Sequence, residues 1–301
     1  MIRVYAISVA IFLALTSCSE QSVSGQKSRV LVTTGMLGDA VKYLLGTQVE
    51  VDVLMGPGVD PHLYKATQGD MRRMTDAKLL VVNGLHLEGK MTETFGHLKK
   101  SKPVIAIGEG IPAEKLLEIQ GSAHLHDPHI WLDVALWSTG LEYVGKQLQL
   151  AFPEDSAAIR QRLGIYLDSL QTLHHWSQTT LASIPSGQKT LITSHDAFEY
   201  FGRAYGIEVK GLQGISTVSE YGLKDISDMV NFICTHQIRA VFVESSVPAQ
   251  SINAVIEGCQ ARKHPLQKGG TLYSDAVGQD GSYFSMIRHN VQTIQKALSA
   301  P

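Results

Sequence analysis

Two copies of the tripeptide Asp-Pro-His lie in the first half of the chain, and each ends in a histidine that could bind a metal ion. They are Asp60-Pro61-His62 and Asp127-Pro128-His129. A third histidine, His195, follows a strand-like run, and the acid Asp275 follows another. Three neutral imidazoles and one carboxylate form a complete tetrahedral ligand set for Zn²⁺. His62, His129, His195 and Asp275 are therefore the candidate metal ligands.

The number of candidate ligands favours a binding site over a catalytic one. A catalytic zinc keeps one coordination position open for water, and four protein ligands leave none, so we expect a protein that is not an enzyme. A zinc hydrolase is the first alternative, with Asp196 and Glu199 as candidate bases near His195. A surface adhesin with a structural metal is the second. Asp280 is an alternative fourth ligand, but Asp275 lies nearer the strand end.

Short β-branched runs alternate with amphipathic segments along the chain, which predicts parallel sheets covered by helices. The predicted strands are 30–33, 49–54, 79–82, 104–107, 190–192, 207–209, 240–243 and 271–273. The predicted helices are 39–45, 68–77, 91–98, 135–148, 197–205, 220–236, 248–261 and 283–298. Open α/β sheets bind ligands beyond the carboxyl ends of their strands, so His62, His195 and Asp275 fall where a site would form.

One stretch lacks any strand signal and has apolar residues at helical spacing. It runs over residues 154–184, and a continuous helix of that length would span about 46 Å. Two helices broken near Gly164 are the alternative. The sequence therefore predicts an α/β fold of two lobes, each with a mostly parallel sheet flanked by helices, joined by one long helix. The expected division is 29–153 for the N-terminal lobe, 154–184 for the linking helix and 185–301 for the C-terminal lobe.

The N-terminus has the pattern of a secretory signal. Residues 1–17 hold one charge, Arg3, and an apolar run too short to cross a bilayer. The sequence Leu15-Thr16-Ser17-Cys18 resembles a bacterial lipobox, which predicts lipidation at Cys18; an ordinary cleavage site beside an incidental cysteine is the alternative. Residues 18–28 are polar and are expected to form a flexible tether. We therefore expect export to the periplasm or the cell surface, with a lipid anchor in the membrane.

Charge and cysteine content narrow the choice of partners. The formal net charge is −2, and it becomes −3 once residues 1–17 are removed, so nucleic acid is not an expected partner. Cys234 and Cys259 are the other two cysteines. Both fall in predicted helices, and the sequence leaves open whether they form a disulfide or stay as buried thiols.

Several motifs resemble those of the cluster A-I solute-binding lipoproteins of bacterial ABC importers, in particular the type represented by the treponemal zinc and manganese receptor. They occur in the family's order at 58–64, 83–88, 127–133, 193–198, 211–217 and 272–276. The resemblance implies two α/β lobes with the metal between them, bound by His62 and His129 from the first lobe and by His195 and Asp275 from the second. It also implies a monomer that delivers metal to an ABC permease and its ATPase.

The resemblance also bears on the metal. Manganese receptors of this family usually have glutamate at the position of His195, and imidazole suits zinc better than manganese. Dedicated zinc receptors usually have a histidine-rich loop before the second ligand, whereas this chain has only His124 and His126 there. We therefore expect Zn²⁺, with Mn²⁺ as the main alternative and Fe²⁺ third. His124 and His126 are candidate auxiliary metal ligands.

Overall fold

The computed structural model describes residues 27–119, 121, 125–218 and 221–299. The predicted signal peptide, Cys18, most of the tether and His124 lie outside the described residues. Among the helices in the described part of the chain, none combines the length and apolar character needed to cross a membrane.

The first half of the described chain builds a four-stranded parallel sheet with strand order β2-β1-β3-β4. Its strands are β1 (Arg29–Val32), β2 (Glu50–Val53), β3 (Leu79–Val82) and β4 (Val104–Ala106). Its helices are α1 (Gly35–Leu45), α2 (Gln68–Asp76), α3 (Thr92–Leu98) and α4 (Val134–Ala151). All residues of β3 are buried, as expected for a parallel strand that is covered on both faces.

A single long helix, α5 (Ser156–Ala182), follows the first half. It is continuous for 27 residues, or about 40 Å, so the alternative of a break near Gly164 is wrong. No atom lies within 4 Å of the position that a Cβ at Gly164 would take, so this glycine faces open space. The buried side of α5 repeats every three or four residues, which is the spacing of one helix face; it consists of Ile159, Leu163, Tyr166, Leu170, Leu173, Ser177 and Leu181.

The second half contains two parallel strand pairs, β5–β6 and β7–β8. Its strands are β5 (Thr190–His195), β6 (Glu208–Gln213), β7 (Ala240–Glu244) and β8 (Gln267–Leu272). Its helices are α6 (Glu199–Tyr205), α7 (Leu223–His236), α8 (Gln250–Ala261) and α9 (Tyr283–Leu298). The predicted α/β class with helix-covered parallel sheets is confirmed. Cys234 and Cys259 are free thiols at the packed faces of α7 and α8.

One apolar core runs through both halves of the described chain. It joins buried residues of the first sheet and α1 to residues of α4, α5, β5 and α9. The rings of Trp137 from the first half and Tyr283 from the second stack with centroids 5.5 Å apart. In addition, Trp131 Nε1 donates to the carbonyl of Ser274 at 2.7 Å, and the Tyr283 hydroxyl donates to the carbonyl of Trp131 at 2.7 Å. The two halves are therefore packed together by a hydrophobic interface with specific hydrogen bonds across it.

Candidate metal centre

The four predicted ligands converge at one buried point between the halves. One ligand atom each from His62, His129, His195 and Asp275 lies within 4.8 Å of all the others. His62 Nε2 lies 3.2 Å from His129 Nε2. Asp275 Oδ1 lies 3.4 Å from His129 Nε2, and Asp275 Oδ2 lies 3.4 Å from His195 Nε2. A tetrahedron with metal–ligand bonds of about 2.05 Å has edges of about 3.3 Å, so these three spacings are close to those around a four-coordinate ion. The two Asp275 spacings involve different oxygens of the carboxylate, and the ligand atoms of the whole set lie up to 4.8 Å apart.

The ligands lie at strand ends and in the loops that follow them. His195 is the last residue of β5, and Asp275 comes three residues after the end of β8. His62 lies in the long loop between β2 and α2. His129 directly precedes the 3-10 turn Ile130–Leu132, which leads into α4. Parallel strands place these carboxyl ends at one edge of each sheet, and this brings distant parts of the sequence together.

Both Asp-Pro-His tripeptides form the same local turn. Asp60 Oδ1 accepts a hydrogen bond from the His62 amide at 2.8 Å, and Asp127 Oδ1 accepts one from the His129 amide at 3.0 Å. An aspartate that binds the backbone two residues further on forms an Asx turn. Each turn therefore fixes the backbone of a candidate ligand.

Two carboxylates lie behind the imidazoles, and sequence reasoning did not assign this role to either. Asp127 Oδ1 lies 2.7 Å from His129 Nδ1. Glu244 Oε2 lies 2.6 Å from His195 Nδ1, and Glu244 Oε1 accepts from the His195 amide at 2.9 Å. A carboxylate on the far nitrogen orients an imidazole ligand and raises its basicity. The sequence feature that could have identified Glu244 is an acidic residue at the end of a fully buried strand, β7.

The pKa values of the site residues reflect this arrangement. Burial lowers the pKa of His62 to about 3. Burial also opposes the charged form of His129, but the carboxylates of Asp127 and Asp275 outweigh it and raise the pKa of His129 to about 9. The pKa of His195 is likewise raised, because Glu244 and Asp275 outweigh its burial. The carboxylates around His129 and His195 therefore favour the positively charged form of both imidazoles.

The donor atoms at the centre suit a cation. Within the described part of the chain, His195 Nε2 and Asp275 Oδ1 are buried and have ionic contacts at 3.4 Å but no hydrogen bond of good geometry. Buried polar atoms without partners are costly, and a metal ion would satisfy both of them at once. The two carboxylate oxygens of Asp275 face different imidazoles, so this residue has the geometry to bind through one oxygen or through both.

Other residues considered from the sequence lie away from the centre. Asp280 is exposed and accepts a hydrogen bond from the Ser282 amide at 3.1 Å, so its assignment as an alternative fourth ligand is wrong. His126 lies in an isolated bridge with Glu118 and is not in the ligand cluster. The hydrolase candidates Asp196 and Glu199 are also outside the cluster, and Asp196 accepts from the Gly211 amide at 2.5 Å.

The fold and this site define a class of protein: two packed α/β halves with a buried three-histidine, one-aspartate centre between them. A family model described as the periplasmic zinc-uptake complex component A matches residues 30–297, and the chain belongs to that family.

Curated relatives match the chain over nearly its whole length. It is 44% identical to the manganese-binding lipoprotein MntA of Bacillus subtilis over 292 residues, which are 95% of this chain and 95% of that protein. It is 42% identical to the zinc-binding protein TroA of Treponema pallidum over 285 residues, which are 93% and 92% of the two chains.

Solved structures of related proteins also match the chain over most of its length. The periplasmic zinc-binding protein TroA from Treponema pallidum superposes with a TM-score of 0.89 at 42% identity, covering 91% of this chain and all of that one. An Fe(III)-bound YtgA from Chlamydia trachomatis superposes with a TM-score of 0.82 at 26% identity, covering 91% and 99% of the two chains. Solved structures described as zinc-binding and as Fe(III)-bound therefore share this fold.

Proposed function

We propose that this chain is an extracytoplasmic solute-binding lipoprotein that captures a divalent transition metal ion and delivers it to an ABC importer. The observation that supports this best is the buried cluster of three imidazoles and one carboxylate contributed by both halves of the chain. Membership of a metal-uptake family agrees with it. His62, His129, His195 and Asp275 bind the cargo directly.

Zinc is the proposed cargo, manganese the next candidate and ferrous iron the third. Three nitrogen ligands and spacings of 3.2 to 3.4 Å suit a tetrahedral zinc ion. Zinc also stands above manganese in intrinsic affinity for such sites. Manganese remains the main competitor because the oxygens of Asp275 allow a higher coordination number, and because the Bacillus relative is named for manganese.

The cargo role differs from catalysis and from a structural metal. With four protein ligands around a four-coordinate ion, no position is left for the activated water that a hydrolase needs. A structural metal would be required for folding, whereas here the halves are joined by a continuous apolar core. We therefore propose a receptor that stays folded when empty rather than an enzyme or an adhesin.

The remaining parts of the proposal concern location and partners. Residues 1–17 are a signal peptide, Cys18 carries the lipid, and residues 18–28 form the tether to the membrane. Residues 29–153 and 185–301 form the two lobes, with 154–184 as the link. The receptor is a monomer, and its partners are an ABC permease and the ATPase of that importer. The auxiliary role of His124 and His126 stays a prediction.

Metal analysis of protein purified from its native compartment, followed by competition between Zn²⁺ and Mn²⁺ in calorimetry, tests this function. We expect one metal ion per chain, zinc bound more tightly than manganese, and a loss of at least a hundredfold in zinc affinity in His195→Ala. The matched control is His97→Ala, because His97 is exposed on α3. Wild-type affinity in His195→Ala would contradict the proposed ligand set, and manganese alone in the native protein would overturn the choice of zinc.

A further inference from the structure

The two carboxylate oxygens of Asp275 have different surroundings. Each lies 3.4 Å from one imidazole Nε2 atom, Oδ1 from that of His129 and Oδ2 from that of His195. Among the described residues, Oδ1 is buried and has no hydrogen-bond partner of good geometry. Oδ2, in contrast, accepts a hydrogen bond from the Ser246 hydroxyl at 3.3 Å. Only one of the two oxygens is therefore held by a hydroxyl group.

The proton of the Ser246 hydroxyl has a defined direction. Burial opposes the ionisation of Asp275, but His195 and His129 outweigh it and hold the pKa of Asp275 well below its ordinary value, so its carboxylate only accepts hydrogen bonds. Ser246 Oγ also lies 3.0 Å from Ser274 Oγ, and Ser274 is fully buried. Because a hydroxyl has one proton, Ser246 donates to Asp275 and accepts from Ser274.

Ser246 follows the end of β7, which already supports another ligand. Glu244, the last residue of β7, lies 2.6 Å from His195 Nδ1. Between the two, the Ser245 amide donates at 2.9 Å to the carbonyl of the last residue of β8, the strand that leads to Asp275. Segment 244–246 therefore contacts both candidate ligands of the second half, His195 through Glu244 and Asp275 through Ser246.

A hydroxyl on one oxygen of a carboxylate affects how that carboxylate binds metal. The hydrogen bond fixes the orientation of the group and draws electron density from Oδ2, so Oδ1 is the better donor. Zinc is satisfied by four ligands in a tetrahedron. Manganese prefers more oxygen ligands in an octahedral arrangement, and it loses more when the second oxygen is restrained.

We propose that Ser246 contributes to the metal specificity of the site by restraining Asp275 Oδ2. This inference rests on the proposed function, because it takes Asp275 as a ligand of the cargo. Without the hydroxyl, both oxygens of Asp275 are equally available, so manganese gains a ligand oxygen and zinc gains little. Ser246 is a positioning residue, since it acts on the cargo through Asp275.

Ser246→Ala on the full chain tests this role, because it removes only the hydroxyl group. Calorimetry with a competing chelator gives the zinc affinity, and electron paramagnetic resonance of free Mn²⁺ gives the manganese affinity. We expect the ratio of zinc affinity to manganese affinity to fall at least fivefold, mainly through tighter binding of manganese. Ser246→Thr keeps a hydroxyl and should preserve the ratio. The control is Ser169→Ala, on the exposed face of α5, which should also preserve it.

Cobalt provides a readout of the number of ligands. Zn²⁺ has a filled d shell and gives no such signal. Four-coordinate Co²⁺ absorbs visible light more strongly than Co²⁺ with five or six ligands. We therefore expect the absorption per bound Co²⁺ ion to fall in Ser246→Ala, as the second oxygen of Asp275 joins the ion, and to stay unchanged in Ser246→Thr.

The outcomes separate this role from the proposed function. If the wild type binds zinc tightly but the affinity ratio is unchanged in Ser246→Ala, the role of Ser246 in specificity is overturned. Equal weakening of both ions would also overturn it, because a merely structural role has that effect. If the wild type binds neither ion, the proposed function fails first, and the role of Ser246 fails with it.

Discussion

The carboxylates behind the histidines determine how well individual residues can hold a metal ion. His129 and His195 each have an acid at Nδ1, whereas no acid among the described residues makes such a contact with His62. An acid in this position makes an imidazole a better ligand because it stabilises the positive charge that the metal induces on the ring. We therefore expect His129 and His195 to be the stronger of the proposed ligands and His62 the weaker one.

Glu244 provides a direct test of this difference. Glu244→Gln keeps the size of the side chain but removes the charge at His195 Nδ1. We expect zinc affinity to fall by about 10- to 100-fold, which is typical when such a supporting carboxylate is lost. Calorimetry with a competing chelator measures the change, and Glu257→Gln on the exposed side of α8 is the control. An affinity within twofold of wild type would show that Glu244 only fills space.

The release of protons when metal binds gives a second test of the individual ligand residues. The pKa of His129 in the metal-free protein is about 9, so this imidazole is protonated below that pH and must lose its proton when metal binds. Metal affinity should therefore decrease as pH falls below about 9. With an ordinary histidine pKa of 6.5, the decrease would begin only near that pH. Calorimetry at pH 7.5 in buffers of different ionisation enthalpy should show at least one proton released per ion. An affinity independent of pH between 6 and 8.5 would contradict this ionisation.

At the scale of elements, α2 anchors the end of the loop that carries His62. Thr67 and Asp70 form a capping box at the start of α2, and Asp70 also accepts from the Tyr64 hydroxyl at 2.8 Å and pairs with Arg73 at 2.9 Å. Burial opposes the ionisation of Asp70, but these hydrogen bonds outweigh it and lower its pKa to about 2. Because the folded pKa lies below the ordinary value of 3.8, Asp70 stabilises the fold above about pH 4, and this contribution is lost as pH falls toward 2.

Asp70→Asn should therefore lower the free energy of unfolding at neutral pH by about 1–2 kcal/mol, the usual cost of losing a charged cap. Urea titration at pH 7 and at pH 2.5 checks this, and the difference between variant and wild type should shrink at the lower pH. Asp76→Asn, at the exposed end of the same helix, is the control. An equal difference at both pH values would mean that the charge of Asp70 is not responsible.

The sequence predicted most elements of the fold because their patterns are strong. Strand β3 and helix α9 have the predicted bounds, since one is a continuous apolar run and the other has a clear helical period. Strand β8 was expected over 271–273 but runs over Gln267–Leu272. Its first half contains Lys268-Gly269-Gly270, which have low strand propensity, and pairing with β7 supplies the stabilisation that the local sequence lacks.

The candidate site was predictable for a different reason. Histidine and aspartate at strand ends are visible in one sequence, and the structure brings together all four residues that were proposed as ligands. Glu244 was not assigned to His195, because that contact depends on how two distant segments pack and leaves little local pattern. Asp127 lies in the same tripeptide as His129, so the residue was visible in the sequence, but the rotamer that brings its carboxylate to the imidazole was not. Whether the four residues bind metal stays a prediction, and the zinc titration of His195→Ala tests it.

For the whole molecule, the apolar core across both halves predicts a stable empty receptor. Buried residues such as Trp137 and Tyr283 pack across the interface without any metal. We expect chelation to leave the circular dichroism spectrum unchanged and small-angle scattering to show only a small change in radius. Zinc at 1,000 times its Kd should add about 4 kcal/mol to the free energy of unfolding. Loss of secondary structure on chelation would support a structural metal instead.

The hydrogen bond from the Thr217 hydroxyl to Asp60 Oδ2, at 2.6 Å, has a consequence for the time that cargo stays bound. It joins the loop that carries His62, which we expect to be the weakest of the proposed ligands, to the second half, whereas the other three proposed ligands are at most 1% exposed. Opening of this one loop, rather than separation of the halves, should therefore set the dwell time of the ion. Thr217→Val should shorten that dwell time several-fold in stopped-flow chelator trapping, whereas Thr179→Val, on the exposed face of α5, should leave it unchanged. Equal dwell times in the two variants would mean that a different motion limits release of the ion. If the prediction holds, an importer obtains its ion by moving only the loop that carries His62.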